Sequence, residues 1–148
     1  MIINKKKIFY IYFILYLSMC LGYFYNEDFV LGTIIDYNIH LEAANVMSKD
    51  IVGSILNYDN LEGGTIPHSP IYILYFTFIQ NFFGEAMSRF INMHLILLLP
   101  YFVYLSVKLK FTFKKNDLKN LLPLIFFISP YFRAGAFWID DNILGLTF

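Results

Sequence analysis

Apolar residues fall into several runs that charged segments separate. The run Ile8–Tyr25 carries no charge and follows three lysines, and Phe90–Val107 is a second uncharged run. A membrane helix needs about 20 mostly apolar residues, so both runs are long enough to cross a bilayer. No small-residue cleavage site follows the first run, so it favours a retained membrane helix over a signal peptide. The pattern predicts spans over 8–25 and 89–107.

Three shorter runs complete the pattern. The apolar core Leu121–Phe132 predicts a third span over 120–132, with Lys119 extending to the membrane surface at one end. The run Ile71–Phe83 is too short to cross and predicts a short helix over 70–83 at the outer face. Residues 143–148 resemble the first turns of a further span, cut short. We therefore expect 1–148 to be a single N-terminal membrane module of a larger protein.

Lysine and arginine are concentrated in two segments. Eight of the 11 basic residues are Lys5, Lys6, Lys7, Lys108, Lys110, Lys114, Lys115 and Lys119. Cytoplasmic loops are enriched in these residue types, so we expect the N-terminus and the basic loop 108–119 to be cytoplasmic. The loops 26–69 and 133–142 are then extracytoplasmic, together with most of the acidic residues. In this topology 70–83 does not cross, since a crossing would place the five-lysine loop outside.

The first external loop carries a helical pattern. Ile39, Ala43, Met47 and Ile55 recur with the period of an α-helix, and polar residues occupy the opposite face. We expect an amphipathic helix over 36–57 that lies along the membrane surface or against the spans. The sequence thus predicts an all-α fold, a polytopic transmembrane helix bundle with amphipathic juxtamembrane helices in its first external loop.

Composition narrows the functional classes. Hydrophobic residues make up 58% of the chain and charged residues 15%, whereas soluble domains average roughly 45–50% and about 25%. These values argue against a soluble or a disordered protein and for contact with membrane lipids. The formal net charge is zero, so nucleic acid is not an expected partner. The single cysteine, Cys20, excludes an internal disulfide framework and a cysteine-based zinc site.

Two acidic positions are candidates for chemistry. Asp36 and His40 are four residues apart and share a helix face, which suits an acid–base pair or ligands for Mg²⁺ or Mn²⁺. The structural alternative is a helix cap at Asp36 and a surface histidine. Asp140 and Asp141 repel each other unless a cation neutralises them, and the alternative is a solvated loop.

Other polar residues have weaker claims. Arg133, at the outer end of a span, could pair with a phosphate or anchor the helix at the interface. His68 lies among prolines at the outer edge and could reach a lipid phosphate. His94 lies within a span, where a helix–helix hydrogen bond is the favoured role. Glu27 and Asp28 could be second carboxylates of a site, but the favoured interpretation is that they are ordinary polar residues after a span.

Three short stretches carry a family resemblance. Asp36-Tyr-Asn-Ile-His-Leu-Glu-Ala-Ala44 resembles the D-Y-x-x-x-x-D-A-A signature of the mannosyltransferase of glycosylphosphatidylinositol assembly, with Glu42 in place of its second Asp. Ser129–Asn142 is similar to the catalytic subunit of oligosaccharyltransferase, in which D-N-E follows an Arg by seven residues; here Asp140, Asp141 and Asn142 stand there. Pro67–Tyr72 is similar to the P-P-L-Y step of lipid-dependent sugar transferases. Together they resemble the N-terminal module of the GT-C superfamily of membrane glycosyltransferases.

The resemblance implies a reaction and roles. Such enzymes transfer a sugar from a polyprenyl-phosphate carrier to a lipid or glycan acceptor on the extracytoplasmic face. It implies Asp36 as base or metal ligand, and Asp140 and Asp141 as assisting residues, with Asp141 a second metal ligand. His40, His68, Arg133 and Asn142 become substrate-binding candidates. Mg²⁺ or Mn²⁺ is the candidate cofactor, although many members work without a metal.

Other classes stay open at this point. A transporter or lipid flippase would show similar spans but needs ionisable groups deep among them, and His94 alone qualifies. A polysaccharide polymerase would carry its key residues in later loops. We also expect the 148-residue chain to be inactive alone, because a groove for the donor lipid would be incomplete.

Overall fold

The computed structural model describes residues 5–28, 32–58, 69–110 and 118–140, and all regular structure in these ranges is helical. This confirms the predicted all-α class. The helices are α1 (Lys5–Phe24), α2 (Thr33–Lys49), α3 (Ile51–Leu56), α4 (Pro70–Ile96), α5 (Leu98–Lys110), α6 (Leu124–Ile128) and α7 (Pro130–Trp138), with a 3₁₀ turn at Leu118–Leu121 before α6.

α4 is two helices joined by a sharp bend at Gly84. Gly84 has φ 73° and ψ 173°, a conformation that glycine adopts far more easily than other residues. The chain folds back there, since the Ser88 hydroxyl donates to the Ile79 carbonyl (3.0 Å) and the Tyr75 hydroxyl reaches the Asn92 amide oxygen (3.4 Å). The predicted separate helix over 70–83 therefore corresponds to the first half of α4.

The chain after Gly84 runs antiparallel to α1. We call α1 the first leg and residues 85–110 the second leg. Tyr23, near the end of α1, stacks edge-on against Phe90. About two turns before Tyr23 on α1, the Tyr16 hydroxyl lies 3.0 Å from Nε2 of His94. The leg continues through α5, beyond the predicted limits 89–107, with a single turn residue at Leu97. These side-chain contacts join the second half of α1 to the turns that follow the bend.

The last leg, 118–138, runs parallel to α1 and is broken. Tyr12 donates to the Asn120 carbonyl (2.9 Å), and Ser18 lies beside Arg133 further along. The segment predicted as a span over 120–132 is not one helix, because α6 ends at Ile128 and α7 begins at Pro130. A proline cannot donate the helical hydrogen bond and restricts the preceding residue to extended conformations, as seen at Ser129 (ψ 118°).

The amphipathic segment forms two helices whose inner face matches the predicted stripe in part, at Ala43 and Met47. The predicted helix over 36–57 starts earlier, at Thr33, and breaks at Asp50, whose carboxylate accepts from the Gly53 N–H (2.8 Å) and begins α3. The buried residues of α2 are Thr33, Tyr37, His40, Ala43, Ala44 and Met47. Ile39 and Ile55 of the predicted stripe stay exposed. The helix is thus rotated towards its aromatic side, which packs on α4 and α7.

Among the described residues, two helical segments are long and apolar enough to cross a membrane, Lys6–Phe24 and Pro70–Lys110. The second contains the Gly84 bend, so its straight part is the leg after that residue. Large apolar side chains of α1 face outwards, among them Phe9, Ile14 and Leu21. An exposed apolar surface of this kind is typical of a helix that contacts lipid or further protein.

Charges separate along the legs. The end formed by the last turn of α1, the Gly84 bend and Ile139 carries Glu27, Asp28 and Glu85, and is called the acidic end. The opposite end, formed by the start of α1, the end of α5 and Asn120, carries Lys6, Lys7, Lys108 and Lys110, and is called the basic end. α2 and the first half of α4 pack at the acidic end.

Candidate functional site

Asp36 lies in the first turn of α2 with an exposed side chain. Its backbone N–H donates to the Gly32 carbonyl (2.9 Å), so it is already inside the helix. Gly32 is the N-cap and makes no side-chain cap bond, and the interpretation of Asp36 as the cap is wrong. Thr33 instead ties this start to the preceding segment by donating to Asp28 (2.5 Å). The Asp36 carboxylate therefore remains open to the surroundings and favourably placed near a helix N-terminus.

His40 lies in the core, with 1% of its surface exposed. Its ring meets Tyr72 edge-on at 4.9 Å, and its Nδ1 is 3.0 Å from the Tyr72 hydroxyl. The expected shared exposed face of Asp36 and His40 is not formed, because the packed stripe of α2 includes His40 and excludes Asp36. His40 is therefore a packing residue here, and its predicted contact with substrate has no surface through which to occur.

Tyr72 joins the two acidic segments. Besides contacting His40 of α2, its hydroxyl donates to the carbonyl of Ile139, the residue before Asp140. Ile139 has φ 55°, a left-handed conformation that ends α7, and the Asp140 N–H donates back to the Gly135 carbonyl (3.0 Å). Asp140 is half-buried at this turn. The fold thus brings the segments that carry Asp36 and Asp140 to the same end of the molecule.

Tyr37, the residue after Asp36, packs where α2 meets α4 and α7. Its ring meets Phe76 of α4 and Trp138 of α7, each at 5.5 Å and edge-on. The Gln80 amide donates to its hydroxyl (2.9 Å). Burial, and then the charge of Glu85, raise the pKa of Tyr37 to about 12, so the phenol is neutral and structural at physiological pH.

Arg133 is engaged with Glu27. Its Nε and Nη2 donate to the two carboxylate oxygens of Glu27 at 2.5 and 2.6 Å, a bidentate pair in which both side chains are about 10% exposed. Nη1 and Nη2 also donate to Ser18, at 3.2 and 3.1 Å. The proposed roles of Arg133 as a phosphate ligand or an interfacial anchor do not match this geometry, since its donors face protein groups. Glu27, interpreted as an ordinary polar residue, is its partner.

The close approach of α1 and α7 at this pair depends on Gly22. A Cβ at this position would lie 2.3 Å from a Glu27 oxygen and 2.9 Å from both the Arg133 and Phe137 side chains. The Trp138 indole N–H adds a bond to the Glu27 carbonyl (3.0 Å). The segment after α1 is therefore held against α7 by both backbone and side-chain contacts.

Arg89 is a buried cation that the sequence reasoning missed. It is 8% exposed, and its guanidinium lies over Trp138 at 3.7 Å from the ring centroid, with Tyr23 and Tyr37 nearby. Nε donates to the Phe137 carbonyl (3.0 Å) and Nη2 to the Asn26 side chain (3.1 Å). A signal was present, since Arg89 directly precedes the uncharged run and an arginine is costly within apolar surroundings.

His94 has the role expected of it. Its Nδ1 lies 2.9 Å from the Phe90 carbonyl and its Nε2 3.0 Å from the Tyr16 hydroxyl, so the ring bridges two legs. Both nitrogens are occupied by these contacts, which fits a helix–helix hydrogen bond rather than a transport site.

Three predicted site residues, His68, Asp141 and Asn142, lie outside the described residues. Within the described ranges, no group of three or more His, Cys, Asp or Glu side chains could hold a metal ion. The proposed metal pair Asp36 and Asp141 therefore has one described member, which is exposed on α2. Asp36 and Asp140 are the predicted catalytic residues for which the structure gives a position.

No protein-family model, curated protein or solved structure matches the chain.

Proposed function

We propose that the chain belongs to an integral-membrane glycosyltransferase. In this proposal the three legs cross the bilayer, with the basic end cytoplasmic and the acidic end extracytoplasmic. The chain takes part in sugar transfer from a polyprenyl-phosphate donor to a lipid or glycan acceptor at the acidic end. Asp36 serves there as the base.

The observation that carries the proposal is the contact among α2, α4 and α7. Tyr37 packs against Trp138, and Tyr72 connects His40 to Ile139, so the segments bearing Asp36 and Asp140 share one end. These segments are a hundred residues apart in sequence and contain the motifs that resemble the superfamily. An exposed carboxylate on a rigidly packed helix suits a base, since catalytic groups need fixed positions.

The chemistry requires a proton acceptor beside the acceptor hydroxyl. The Asp36 carboxylate takes the hydroxyl proton as the oxygen forms a bond to the anomeric carbon. The bond from that carbon to the carrier phosphate breaks, and the phosphate leaves with the electron pair. Asp140 adds negative charge near the acceptor, and binding of the departing phosphate falls to groups other than Arg133, which Glu27 neutralises.

The described residues do not by themselves form a site for a divalent metal. An exposed Asp36 and a half-buried Asp140 form no cluster of three ligand groups with their described neighbours. Mg²⁺ usually keeps several waters and binds through one or two carboxylates together with substrate phosphates, so a metal at this end would depend on the phosphate of the donor. The proposal therefore routes no step through a metal.

The first test is topology. In a Cys20→Ser background, single cysteines at positions 36, 115 and 141 are labelled in intact cells with a membrane-impermeant thiol reagent. The proposal predicts labelling at 36 and 141 and protection at 115. Labelling at 36 and 115 without 141 would place the two acidic motifs on opposite faces. That result would contradict the proposed glycosyltransferase function and favour a transporter-like protein.

The second test is activity in membranes that contain the protein. Asp36→Asn is expected to lower transfer of radiolabelled sugar from polyprenyl phosphate by about 100-fold or more, the range for loss of a general base. Asp50→Asn makes the same substitution at an exposed position outside the motifs, where asparagine also caps the helix, and is the matched control. Equal activity of Asp36→Asn and wild type would remove Asp36 from the mechanism.

A further inference from the structure

An open cleft lies at the basic end, far from the acidic segments. It has a volume of about 420 Å³, within the usual range of ligand sites. All three legs line it: Ile8 and Tyr12 from α1, Leu97 and Tyr104 from the second leg, and Asn120 and Phe127 from the third. The cleft therefore arises from the packing of the three legs against one another.

The walls are mainly apolar and aromatic. The Tyr12 hydroxyl, the polar atom of α1 in the wall, is used by its hydrogen bond to the Asn120 carbonyl (2.9 Å). The Tyr12 ring packs edge-on against Phe127 at 6.1 Å, which fixes the floor between the first and third legs. Such walls favour a hydrocarbon group over a polar ligand.

Cations lie at the rim. Lys108 is exposed and its Nζ is 6.0 Å from the centre of the Tyr104 ring, which lines the cleft. Lys6 and Lys7 are exposed in the first turn of α1, directly before the lining residue Ile8. The cleft therefore combines an apolar interior with a positively charged edge, the pattern that suits a hydrocarbon chain ending in an anionic group.

Size separates a lipid chain from a protein helix. An α-helix with side chains is about 10–12 Å across and rises 5.4 Å per turn, so the cleft has roughly the volume of one turn. A neighbouring helix would fill it with no more than one or two side chains. A hydrocarbon chain is much thinner and can lie within it along its length.

We infer that this cleft binds an anionic phospholipid of the surrounding leaflet, with an acyl chain between the three legs and the phosphate beside Lys108 and the lysines of α1. The site is separate from the proposed sugar-transfer site. It requires that the legs lie in a membrane but does not depend on glycosyltransferase activity.

The test uses the chain reconstituted in nanodiscs of equal phosphatidylglycerol and phosphatidylcholine, followed by release into mild detergent and native mass spectrometry. We expect about one phosphatidylglycerol to be retained per chain. Lys108→Gln should lower its preference over phosphatidylcholine about fivefold, the effect of one lysine beside an anionic headgroup. Lys49→Gln, an exposed lysine on α2 at the other end, should leave the preference unchanged.

A second variant tests the interior. Ile8→Trp places a larger ring in the cleft and should displace the lipid, whereas Ile14→Trp changes an exposed apolar position of the same helix outside the cleft and should not. Retention of the same lipid by Ile8→Trp and Lys108→Gln would overturn the inference. Equal retention of both lipids would also overturn it, as would a dimer that Ile8→Trp dissociates, since a second copy would then occupy the cleft.

Discussion

At the acidic end, Arg133 is held by both oxygens of Glu27 and by Ser18, and Arg89 is stacked on Trp138 and bonded to a carbonyl. At the basic end, the same three legs diverge around a cleft that Tyr12 bridges to Asn120. The cations differ in the same way, since Arg89 and Arg133 are enclosed by protein groups at the acidic end, whereas Lys6, Lys7, Lys108 and Lys110 are exposed at the basic end. A bidentate, planar guanidinium suits buried pairing, while a lysine keeps its charge in water.

This difference indicates that the acidic end stabilises the fold, whereas the basic end leaves space for a ligand. Burial of two cations among aromatic rings and carbonyls fixes α1, the Gly84 bend and α7 to one another, and so fixes the helix that carries Asp36. The divergent basic end has space that another molecule can fill. Mutations at the acidic end should therefore affect folding strongly, and mutations at the basic end only weakly.

The largest effect is expected from Glu27→Gln. It leaves the Arg133 charge buried without its carboxylate, and breaking a buried pair on one side costs about 3–5 kcal/mol. Thermal unfolding in detergent, followed by circular dichroism, is the measurement. Glu42→Gln, an exposed carboxylate on α2, is the control and should change stability by less than about 0.5 kcal/mol. Equal melting of both variants would mean that the pair does not hold the acidic end together.

Arg89→Met is expected to cause the next largest loss of stability. Methionine keeps much of the apolar stem but loses the bonds to Phe137 and Asn26 and the contact with Trp138. Loss of hydrogen bonds from a charged donor and of a desolvated cation–π contact predicts about 2–3 kcal/mol. The same unfolding assay measures it, and the fluorescence of Trp138, the single tryptophan, should change with it. If Arg89→Met unfolded at a higher temperature than the wild type, desolvation of the cation would cost more free energy than its contacts contribute.

Gly84→Ala tests the bend rather than a contact. Nothing lies within 4 Å of a Cβ built at this position, so the cost comes from the backbone alone. A non-glycine residue in this conformation costs of order 1–3 kcal/mol, and we expect about 1–2. Gly53→Ala is a poor comparison because its Cβ would meet Asp50, whereas Ala86→Gly, just after the bend, changes a helical residue by about 1 kcal/mol. An unchanged melting temperature for Gly84→Ala would contradict the strained geometry.

Much of the helical architecture follows from local pattern. The uncharged run after the three lysines predicts α1 closely, and the short length of Ile71–Phe83 anticipates a separate helix before Gly84. Ser129-Pro130 also carries a local signal for the break, because a proline disfavours the helical conformation of the preceding residue, but the apolar run continues across it and obscures that signal. Patterns of period 3.6 locate helices but leave the orientation of α2 open by a fraction of a turn, so the burial of His40 does not follow from them.

The polar pairings could not be predicted in this way. Glu27 and Arg133 are 106 positions apart, and nothing local to either residue indicates the other. Arg89 was overlooked because its role depends on three aromatic rings from three helices. Asp36 was found by its helix and motif, and its exposure depends on how α2 packs. Long-range partners are set by tertiary packing, and a single sequence contains no direct record of them.

The smallest effect is expected at the basic end, from Tyr12→Phe. The change removes the hydroxyl that donates to the Asn120 carbonyl and keeps the ring that packs on Phe127. One half-buried hydrogen bond is worth about 0.5–1.5 kcal/mol, well below the loss predicted for Glu27→Gln. Unfolding of both variants in the same detergent gives the ratio directly. If Tyr12→Phe were as damaging as Glu27→Gln, the two ends would share the stabilisation equally, and the cleft would be part of the folded core rather than a place for another molecule.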